Sequence, residues 1–260
     1  YGEKFVESIP INEETARLFG YYLAEGSCSG SVQIAFGYHE EDLIDDVTSL
    51  IIKYFPYDFT ISDKEGGVQI HFGGTAIARF FKENFGDNAL NKRIPPWILF
   101  NRKEILRAFL DAYFAGDGNL KEDKRYDGVC RVYTTSSKVL AMQLQLAHSK
   151  LGEFAVIYED KREGRYNFKG RIVNQHRRYI VYVYGSKRRR KYIEDDKNFY
   201  LPVSSIRRVM YKGPVYNLRT SSGVFTVSNI LVHNCGGGDN CGELNPHWKP
   251  FRELCAKYGI

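Results

Sequence analysis

The sequence predicts an α+β protein in which one helix-and-strand unit occurs twice and is followed by an alternating β segment. The strings LFGYYLAEG (residues 18–26) and LDAYFAGDG (residues 110–118) align at an offset of 92 residues. After each string, helical and strand periodicities recur in the same order, which an internal duplication explains most simply. Residues 215–233 then alternate between apolar and polar side chains, a pattern that is typical of a β-hairpin.

The first unit opens with a helix over residues 12–26. Asn12 is a suitable N-cap, and an apolar face is formed by Leu18, Phe19, Tyr22 and Leu23. The periodicity then predicts, in order, a strand over 32–36, a helix over 40–54, strands near 59 and over 68–72, and a helix over 75–85.

A Pro-rich connection at residues 91–97 leads into the second unit, which opens with a helix over 103–116. The same order of elements follows: a strand over 129–134, a helix over 137–150, and strands over 155–159 and 178–184.

Composition limits the class of protein. A chain of 260 residues with 43% hydrophobic residues can bury the core of one large or two modest domains. It has no run of 18 apolar residues and no signal-peptide pattern, so we expect a cytoplasmic protein without a membrane partner. Because the sequence begins with Tyr1 rather than Met, we expect a fragment or a processed product. The five cysteines lack the paired CxxC spacing that would suggest a disulfide framework or a zinc site. They are Cys28, Cys130, Cys235, Cys241 and Cys255.

Positive charge is concentrated in residues 161–191. This stretch holds twelve Lys or Arg residues and one Glu, a local charge of +11 in a chain whose net charge is +6. Such a field around Tyr179, Tyr182 and Tyr184 suits a strand that follows a nucleic-acid phosphate backbone. A solvated basic loop is the alternative interpretation.

The two repeated helices carry features that predict how they pack. Small residues spaced four apart let another backbone approach closely, and each helix has such a pair: Gly20 and Ala24 in the first, Ala112 and Gly116 in the second. Packing of these two stripes would bring the helix C-termini together, each with an acid before a glycine. The helix dipole disfavours carboxylates there, so converging Glu25 and Asp117 predict a shared divalent cation.

The two strings resemble the paired dodecapeptide motifs of LAGLIDADG homing endonucleases, and the resemblance covers residues 11–200, with halves at 11–100 and 101–200. It implies a duplicated αββαββα fold whose sheets form saddles for the DNA major groove. It also implies that Glu25 and Asp117 are catalytic acids that bind Mg²⁺ where water attacks one phosphodiester on each strand. The plainer interpretation is that both are surface acids beside helix-capping glycines.

The string NKRIPPWIL (residues 91–99) resembles the lysine block that precedes the second motif in intein endonucleases. This implies that Lys92 polarises the phosphate or activates water, whereas an ordinary basic loop is the alternative. Applying the 92-residue offset to Lys92 leads to Tyr184, three positions before Lys187. Lys187 is therefore the candidate lysine of the second half, with Lys191 and Lys197 as rivals.

DNA-contacting residues can be predicted only by side-chain type, from amides that read adenine and cations that bind phosphates or guanine edges. On the first sheet the candidate is Gln33. The resemblance assigns residues 171–191 to the second saddle, where the candidates are Arg171, Asn174, Gln175, Arg177, Arg178, Lys187, Arg188, Arg189, Arg190 and Lys191.

The string VYNLRTSSGVFTVSNILVHNC (residues 215–235) is predicted to turn at residues 221–223. It resembles the C-terminal splicing blocks of inteins, which share the all-β Hint fold. The resemblance implies that Asn234 cyclises and cuts the chain before Cys235, the thiol nucleophile, with assistance from His233. Many inteins carry a further His where this chain has Gly223. A polar loop after an edge strand is the alternative interpretation.

Together these resemblances predict a Mg²⁺-dependent, site-specific DNA endonuclease within an intein. Residues 1–10 are expected to be a linker from an N-terminal splicing half, 201–234 the C-terminal splicing segment and 235–260 a host-protein fragment. The expected partners are double-stranded DNA that carries the uninterrupted host-gene site and an N-terminal intein portion supplied upstream or in trans. We expect a monomer with pseudo-twofold symmetry. A nuclease-inactive splicing scaffold and an RNA maturase are the alternatives.

Overall fold

The computed structural model describes residues 6–56, 58–64, 66–123, 128–168, 170–185, 192–196, 198–214, 216, 218 and 220–233. The chain divides into two compact units, residues 1–188 and 189–260. In the part of the chain that is described, no helix is both long and apolar enough to cross a membrane.

The first half of unit one has the predicted αββαββα order. Its elements are α1 (Glu13–Glu25), β1 (Gly26–Cys28), β2 (Val32–Gly37), α2 (Glu41–Tyr54), β3 (Phe59–Lys64), β4 (Gly67–Phe72) and α3 (Thr75–Phe85). The predicted N-cap is confirmed, because the Asn12 side chain accepts from the Thr15 N–H at 2.9 Å while Thr15 Oγ1 accepts from the Asn12 N–H at 3.1 Å. This reciprocal pair satisfies two backbone donors at the helix start.

The second half repeats this order as far as the fourth strand of its sheet and adds a hairpin. A short helix, α4 (Pro96–Leu99), precedes it, and its elements are α5 (Lys103–Asp117), β5 (Gly118–Asp123), β6 (Gly128–Thr135), α6 (Lys138–Lys150), β7 (Ala155–Asp160), β8 (Gly164–Phe168), β9 (Arg171–Gln175) and β10 (Arg178–Tyr184). No counterpart of α3 occurs in the described residues 192–196 and 198–214 that follow β10.

Each half forms one four-stranded antiparallel sheet. The strand orders are β1-β2-β4-β3 and β5-β6-β10-β7, so β10 occupies the place that β4 has in the first half. Strands β8 and β9 pair with each other as a separate two-stranded sheet. The second sheet therefore contains only the part of the basic stretch that begins at Arg178, and the assignment of Arg171 and Gln175 to that sheet is wrong.

The core of unit one lies between the two sheets and the helices. One face of each sheet is buried, as the alternation of buried Val32, Ile34 and Phe36 with more exposed neighbours shows. An aromatic cluster fills the space beside α1, where Phe19 stacks on Phe85 at 5.1 Å and meets Trp97 edge-on at 5.5 Å. Trp97 lies in α4, so this cluster ties the connection between the halves to the first half.

A buried polar chain links three elements of the second half. His148 is fully buried in α6, and its ring nitrogens lie 2.6 Å from Glu153 Oε2 and 3.0 Å from the Tyr133 hydroxyl. Arg107 of α5 donates to Glu153 Oε1 at 2.7 Å. Burial favours the neutral acid, but hydrogen bonds from His148 and Arg107 outweigh it and lower the pKa of Glu153 to about 2.

Unit two is described as two short hairpins, β11 (Ile193–Glu194) with β12 (Phe199–Tyr200) and β13 (Val224–Val227) with β14 (Ile230–His233). The second hairpin lies within the predicted alternating segment. The turn of this hairpin is at Ser228 and Asn229, which have φ values of 50° and 64°. Positive φ at both central residues is the geometry that matches strand twist in a two-residue hairpin. The predicted turn at residues 221–223 is present before β13, where the Gly223 N–H donates to the Thr220 carbonyl at 3.2 Å and Gly223 has a φ of 73°.

Candidate functional site

The helices α1 and α5 pack against each other along their small-residue stripes, as the sequence predicts. A Cβ added at Gly20 would overlap the Phe109 carbonyl oxygen and lie 2.8 Å from the Ala112 Cβ. At the other end of the interface, a Cβ at Gly116 would lie 2.7 Å from the Ala24 Cβ and 3.5 Å from the Glu25 Cγ. The two C-termini therefore meet, and Glu25 lies beside the residue that precedes Asp117.

Both helices end in the same way. Gly26 and Gly118 have extended backbones, with φ and ψ of −88° and 150° and of −90° and 158°, and their N–H groups donate to the carbonyls of Tyr22 and Phe114. A Cβ at either glycine would collide with the aromatic ring of the residue four positions earlier. Each helix therefore passes directly into the first strand of its sheet, which fixes the preceding acid at the helix end.

The environment of the two acids favours their neutral forms. Partial burial and the negative charge of Asp117 raise the pKa of Glu25, against the attraction of Lys92. Desolvation by the surrounding protein raises the pKa of Asp117, although this residue is partly exposed to solvent. The charge of Lys92 again opposes the shift. Two carboxylates at two helix C-termini constitute a site of negative potential that a cation would relieve.

Lys92 is the third group at this place, as the family motif implies. Its ammonium group donates to the Ala24 carbonyl oxygen at 2.6 Å, one residue before Glu25. Burial lowers the pKa of Lys92, although the charges of Asp117 and Glu25 oppose the shift. The structure thus brings together three of the predicted catalytic residues from two helices and the connection between the halves.

Among the residues that the structure describes, there is no group of three or more His, Cys, Asp or Glu side chains that could hold a metal ion. A cation at Glu25 and Asp117 would therefore complete its coordination with backbone carbonyls, water or phosphate oxygens. Hard oxygen ligands of this kind fit Mg²⁺ or another hard divalent cation and do not fit zinc.

The exposed face of the first sheet is polar. Gln33 lies there as predicted, and its Oε1 accepts from Gln69 Nε2 on β4 at 3.2 Å. The strand register places His71 opposite both Gln33 and Thr60, and Ser62 Oγ lies 3.2 Å from His71 Nε2. The alternation of polar residues with buried Ile70 and Phe72 on β4 is the sequence signal that would have added Gln69 and His71 to the candidates.

The predicted basic surface is partly neutralised where the structure describes it. Arg178 donates to Asp160 at 2.8 Å, and Arg177 pairs with Glu159 at 3.0 Å and with Glu163 at 3.3 Å. Glu159 and Asp160 end β7 and Glu163 immediately precedes β8, and Asp160 also binds Arg162. Arg177 and Arg178 thus close the base of the β8–β9 hairpin, and their contact with DNA stays a prediction. The backbone of Arg171, Asn174 and Gln175 lies on β9.

The argument that selected Lys187 does not hold, because β8 and β9 are inserted into the second half. Ile70 pairs with the β2 residue that faces Gly26, and Val181 pairs with the β6 residue that faces Gly118, so Ile70 and Val181 are equivalent. They differ by 111 residues rather than 92. Applied to Lys92, that offset leads to Val203. Several predicted residues, Lys187, Arg188, Arg189, Arg190, Lys191 and Lys197, lie outside the described residues.

At the splicing end, only His233 is described among the predicted residues. It is the last residue of β14 and pairs with Val224 across the hairpin. Asn234 and Cys235 lie outside the part of the chain that the structure describes.

A sequence-family match covers the second half of this arrangement. The family model described as a LAGLIDADG-like domain matches residues 104–196, which span α5 to β11. The chain contains a LAGLIDADG-like domain. The first half lies outside that match but has the same order of helices and strands up to the fourth strand of its sheet.

Relatives of the chain include proteins with very different names. The ATP-dependent DNA helicase Hel308 of Thermococcus kodakarensis is 32% identical over 249 residues, which cover 89% of this chain and 22% of the helicase. An iron-sulfur cluster assembly SufBD family protein of Mycobacterium bovis is 28% identical over 238 residues, covering 85% of this chain and 27% of that protein. The chain thus spans about a quarter of the length of these relatives.

Among solved structures, the chain is similar to I-DmoI in complex with DNA and Ca. The sequences are 12% identical, the match covers 66% of this chain and 82% of that one, and the TM-score is 0.46.

Proposed function

We propose that the LAGLIDADG-like domain is a site-specific, divalent-metal-dependent DNA endonuclease carried within an intein. The observation that carries the nuclease proposal is the meeting of two equivalent acids, Glu25 and Asp117, at the paired ends of α1 and α5. Surface acids beside glycine caps have no reason to occur at equivalent positions of both halves and to face one another. The raised pKa of each acid supports a site built around a cation.

The residues of this chain have distinct roles in the proposed reaction. Glu25 and Asp117 would hold Mg²⁺ or a similar cation, which supplies Lewis-acid stabilisation to the attacked phosphate and lowers the pKa of bound water. Lys92 Nζ lies 2.6 Å from the Ala24 carbonyl oxygen, where it can donate to a phosphate oxygen or orient the attacking water. Because its pKa is lowered, its proton is more easily transferred than that of a surface lysine.

The polar face of the first sheet supports DNA as the substrate. Amide side chains such as Gln33 and Gln69 can each present a donor and an acceptor to a base edge in the major groove. Their mutual hydrogen bond arranges these groups before DNA binds. Arg171, Gln175, Arg177 and Arg178 are proposed phosphate or base contacts of the second half.

A cleavage assay tests the nuclease proposal. The full chain is incubated with Mg²⁺ and a plasmid that carries the host-gene sequence uninterrupted across the insertion point, and with a matched plasmid in which the insertion divides that sequence. We expect a staggered double-strand break only in the uninterrupted sequence, abolished by EDTA and restored by Mg²⁺. An intact, folded chain that binds this DNA without cutting it would support the nuclease-inactive scaffold instead.

The relatives support the intein part of the proposal. Nearly the whole chain aligns with about a quarter of a protein named as a helicase and of one named as an iron-sulfur assembly protein. A segment shared by proteins with such different names is expected of a mobile insertion. The string VHNC at residues 232–235 begins with the last two residues of β14, and a C-terminal splice junction requires an Asn before a nucleophile such as the Cys thiol.

In the proposed splicing step, the side-chain amide nitrogen of Asn234 attacks its own carbonyl carbon and releases the amino group of Cys235. A succinimide forms at the C-terminus of the intein, and His233 donates a proton to the departing amine. The test is incubation of the full chain followed by intact-mass measurement. Cleavage between residues 234 and 235, lost in Asn234→Ala, supports the assignment. A chain that remains uncut, even with an N-terminal intein portion supplied in trans, contradicts it.

A further inference from the structure

Lys92 lies on a segment whose backbone is fixed on one side by the first half. Asn91 Oδ1 accepts from the N–H groups of Asp87 and Asn88, both at 3.0 Å. The Arg93 N–H donates to the Phe85 carbonyl at 2.9 Å. These bonds hold the residues on either side of Lys92 to the end of α3.

The other side of this segment is held by a single side chain from the second half. The Ile94 N–H donates to Gln143 Oε1 at 2.8 Å, and Gln143 Nε2 donates to the Ile94 carbonyl at 2.7 Å. Ile94 is fully buried, so both of its backbone groups depend on partners within the protein. The two bonds also fix the orientation of the amide, because only the oxygen can accept and only the nitrogen can donate.

Gln143 lies on α6, which is remote in sequence from Lys92. Its side chain makes a strand-like pair of hydrogen bonds to the backbone of Ile94, two residues after Lys92. We infer that Gln143 is a positioning residue for Lys92, which holds the lysine against the Ala24 carbonyl and so couples α6 of the second half to the acids. Only the expected effect of Gln143 on DNA cleavage rests on the proposed nuclease function. The placement of the Lys92 segment by Gln143 can be measured without DNA.

The principal variant is Gln143→Met, which keeps the length of the side chain and removes both hydrogen bonds. Gln143→Glu keeps the acceptor for the Ile94 N–H and removes the donor. The matched control is Gln145→Ala on the same helix, because Gln145 Nε2 donates to the Ala155 carbonyl at 3.0 Å, away from Lys92. Circular dichroism and thermal unfolding establish which variants fold.

The first measurement is amide hydrogen exchange at Ile94, together with the rate of acylation of Lys92 at a fixed pH, in the full chain without DNA. We expect both to rise in Gln143→Met, to rise less in Gln143→Glu and to stay at wild-type values in Gln145→Ala. Unchanged exchange at Ile94 and unchanged Lys92 reactivity in a folded Gln143→Met would overturn the inference. If Gln143→Met does not fold, Gln143→Glu decides by the same criterion.

The second measurement separates catalysis from binding on the uninterrupted target DNA. In Gln143→Met we expect the single-turnover cleavage rate to fall about tenfold or more, since small misplacements of a catalytic group carry costs of that order, while the Kd for DNA stays within about twofold. A rate that is unchanged, or that falls only in proportion to DNA affinity, would contradict a positioning role. If the wild-type chain cuts no DNA, the proposed nuclease function fails, whereas the exchange and acylation data still decide the role of Gln143.

Discussion

Gly20→Ala should destabilise unit one although alanine is the better helix former. Alanine in a helix interior is favoured over glycine by about 0.8–1.0 kcal/mol. The new Cβ would overlap the Phe109 carbonyl oxygen and lie 2.8 Å from the Ala112 Cβ and 3.0 Å from the Tyr113 nitrogen. Carbon atoms in contact are usually about 3.5–4.0 Å apart, and these neighbours cannot rotate away. The helices must separate, and because the closest overlap is with backbone we expect the upper part of the usual overpacking cost, about 2–3 kcal/mol.

We therefore expect a net loss of about 1–2 kcal/mol, measured by urea unfolding. A loss of that size corresponds to a Tm lowered by roughly 2–8 °C for a unit of this length. The matched control is the swap Ala24→Gly with Gly116→Ala, in which one Cβ replaces another across the same interface and the helix propensities cancel. Its stability should stay within about 0.5 kcal/mol of wild type. A Gly20→Ala protein as stable as wild type would refute close packing of α1 on α5.

Three further outcomes are expected. The pKa of Glu153 is lowered to about 2, so its ionised carboxylate stabilises the folded state. This stabilisation is fully present above the ordinary pKa of 4.5 and is lost as the pH falls towards 2. Glu153→Gln should cost about 2–3 kcal/mol at pH 7, and the difference from wild type in unfolding free energy should shrink over that pH range. Tyr22→Phe removes the 2.8 Å bond to the buried Gly86 carbonyl and should cost about 1–2 kcal/mol in thermal unfolding. Replacing residues 164–175 by a short glycine turn should change the unfolding free energy by less than about 1 kcal/mol, because among the described strands β8 and β9 pair only with each other. The same replacement removes Arg and Lys residues, so the affinity for DNA should depend less steeply on salt concentration.

The duplication was predictable because the features that define it are local. The small-residue pairs at Gly20 and Gly116 and the acids before Gly26 and Gly118 recur at fixed spacing, so the sequence alone indicates two equivalent helices that pack together. The order of the helices and of strands with a buried face, such as β2, follows from periodicity in the same way, whereas β1 and β5 were not predicted from it.

The inserted hairpin was not predictable to the same degree. Where the structure describes its side chains, as at Arg165, Tyr166, Asn167, Ile172 and Asn174, this hairpin is exposed, so it lacks the alternation by which strands such as β2 are found. Missing it left the offset of 92 in use beyond the point where it applies, which led to Lys187. The ion pairs of Arg177 and Arg178 were hidden as well, because Glu159 and Asp160 adjoin them only through the register of β7 and β10.

The positioning of Lys92 depends on contacts between residues that are far apart in sequence. The motif identified the lysine, but the Ala24 carbonyl that it contacts and the Gln143 amide that holds its segment are set by tertiary packing. Gln143 occupies an ordinary position on a helix surface in the sequence pattern. Only the structure shows that this side chain satisfies two buried backbone groups.

The central claim, that Glu25 and Asp117 form one metal-dependent nuclease site, is tested most directly by comparing double-strand cleavage by wild type, Glu25→Gln and Asp117→Asn. All three are assayed with Mg²⁺ on the uninterrupted target, and DNA affinity and folding are checked in parallel. We predict that wild type makes the staggered break and that each variant binds the same DNA but fails to make it. Full double-strand cleavage by either folded variant would contradict the claim.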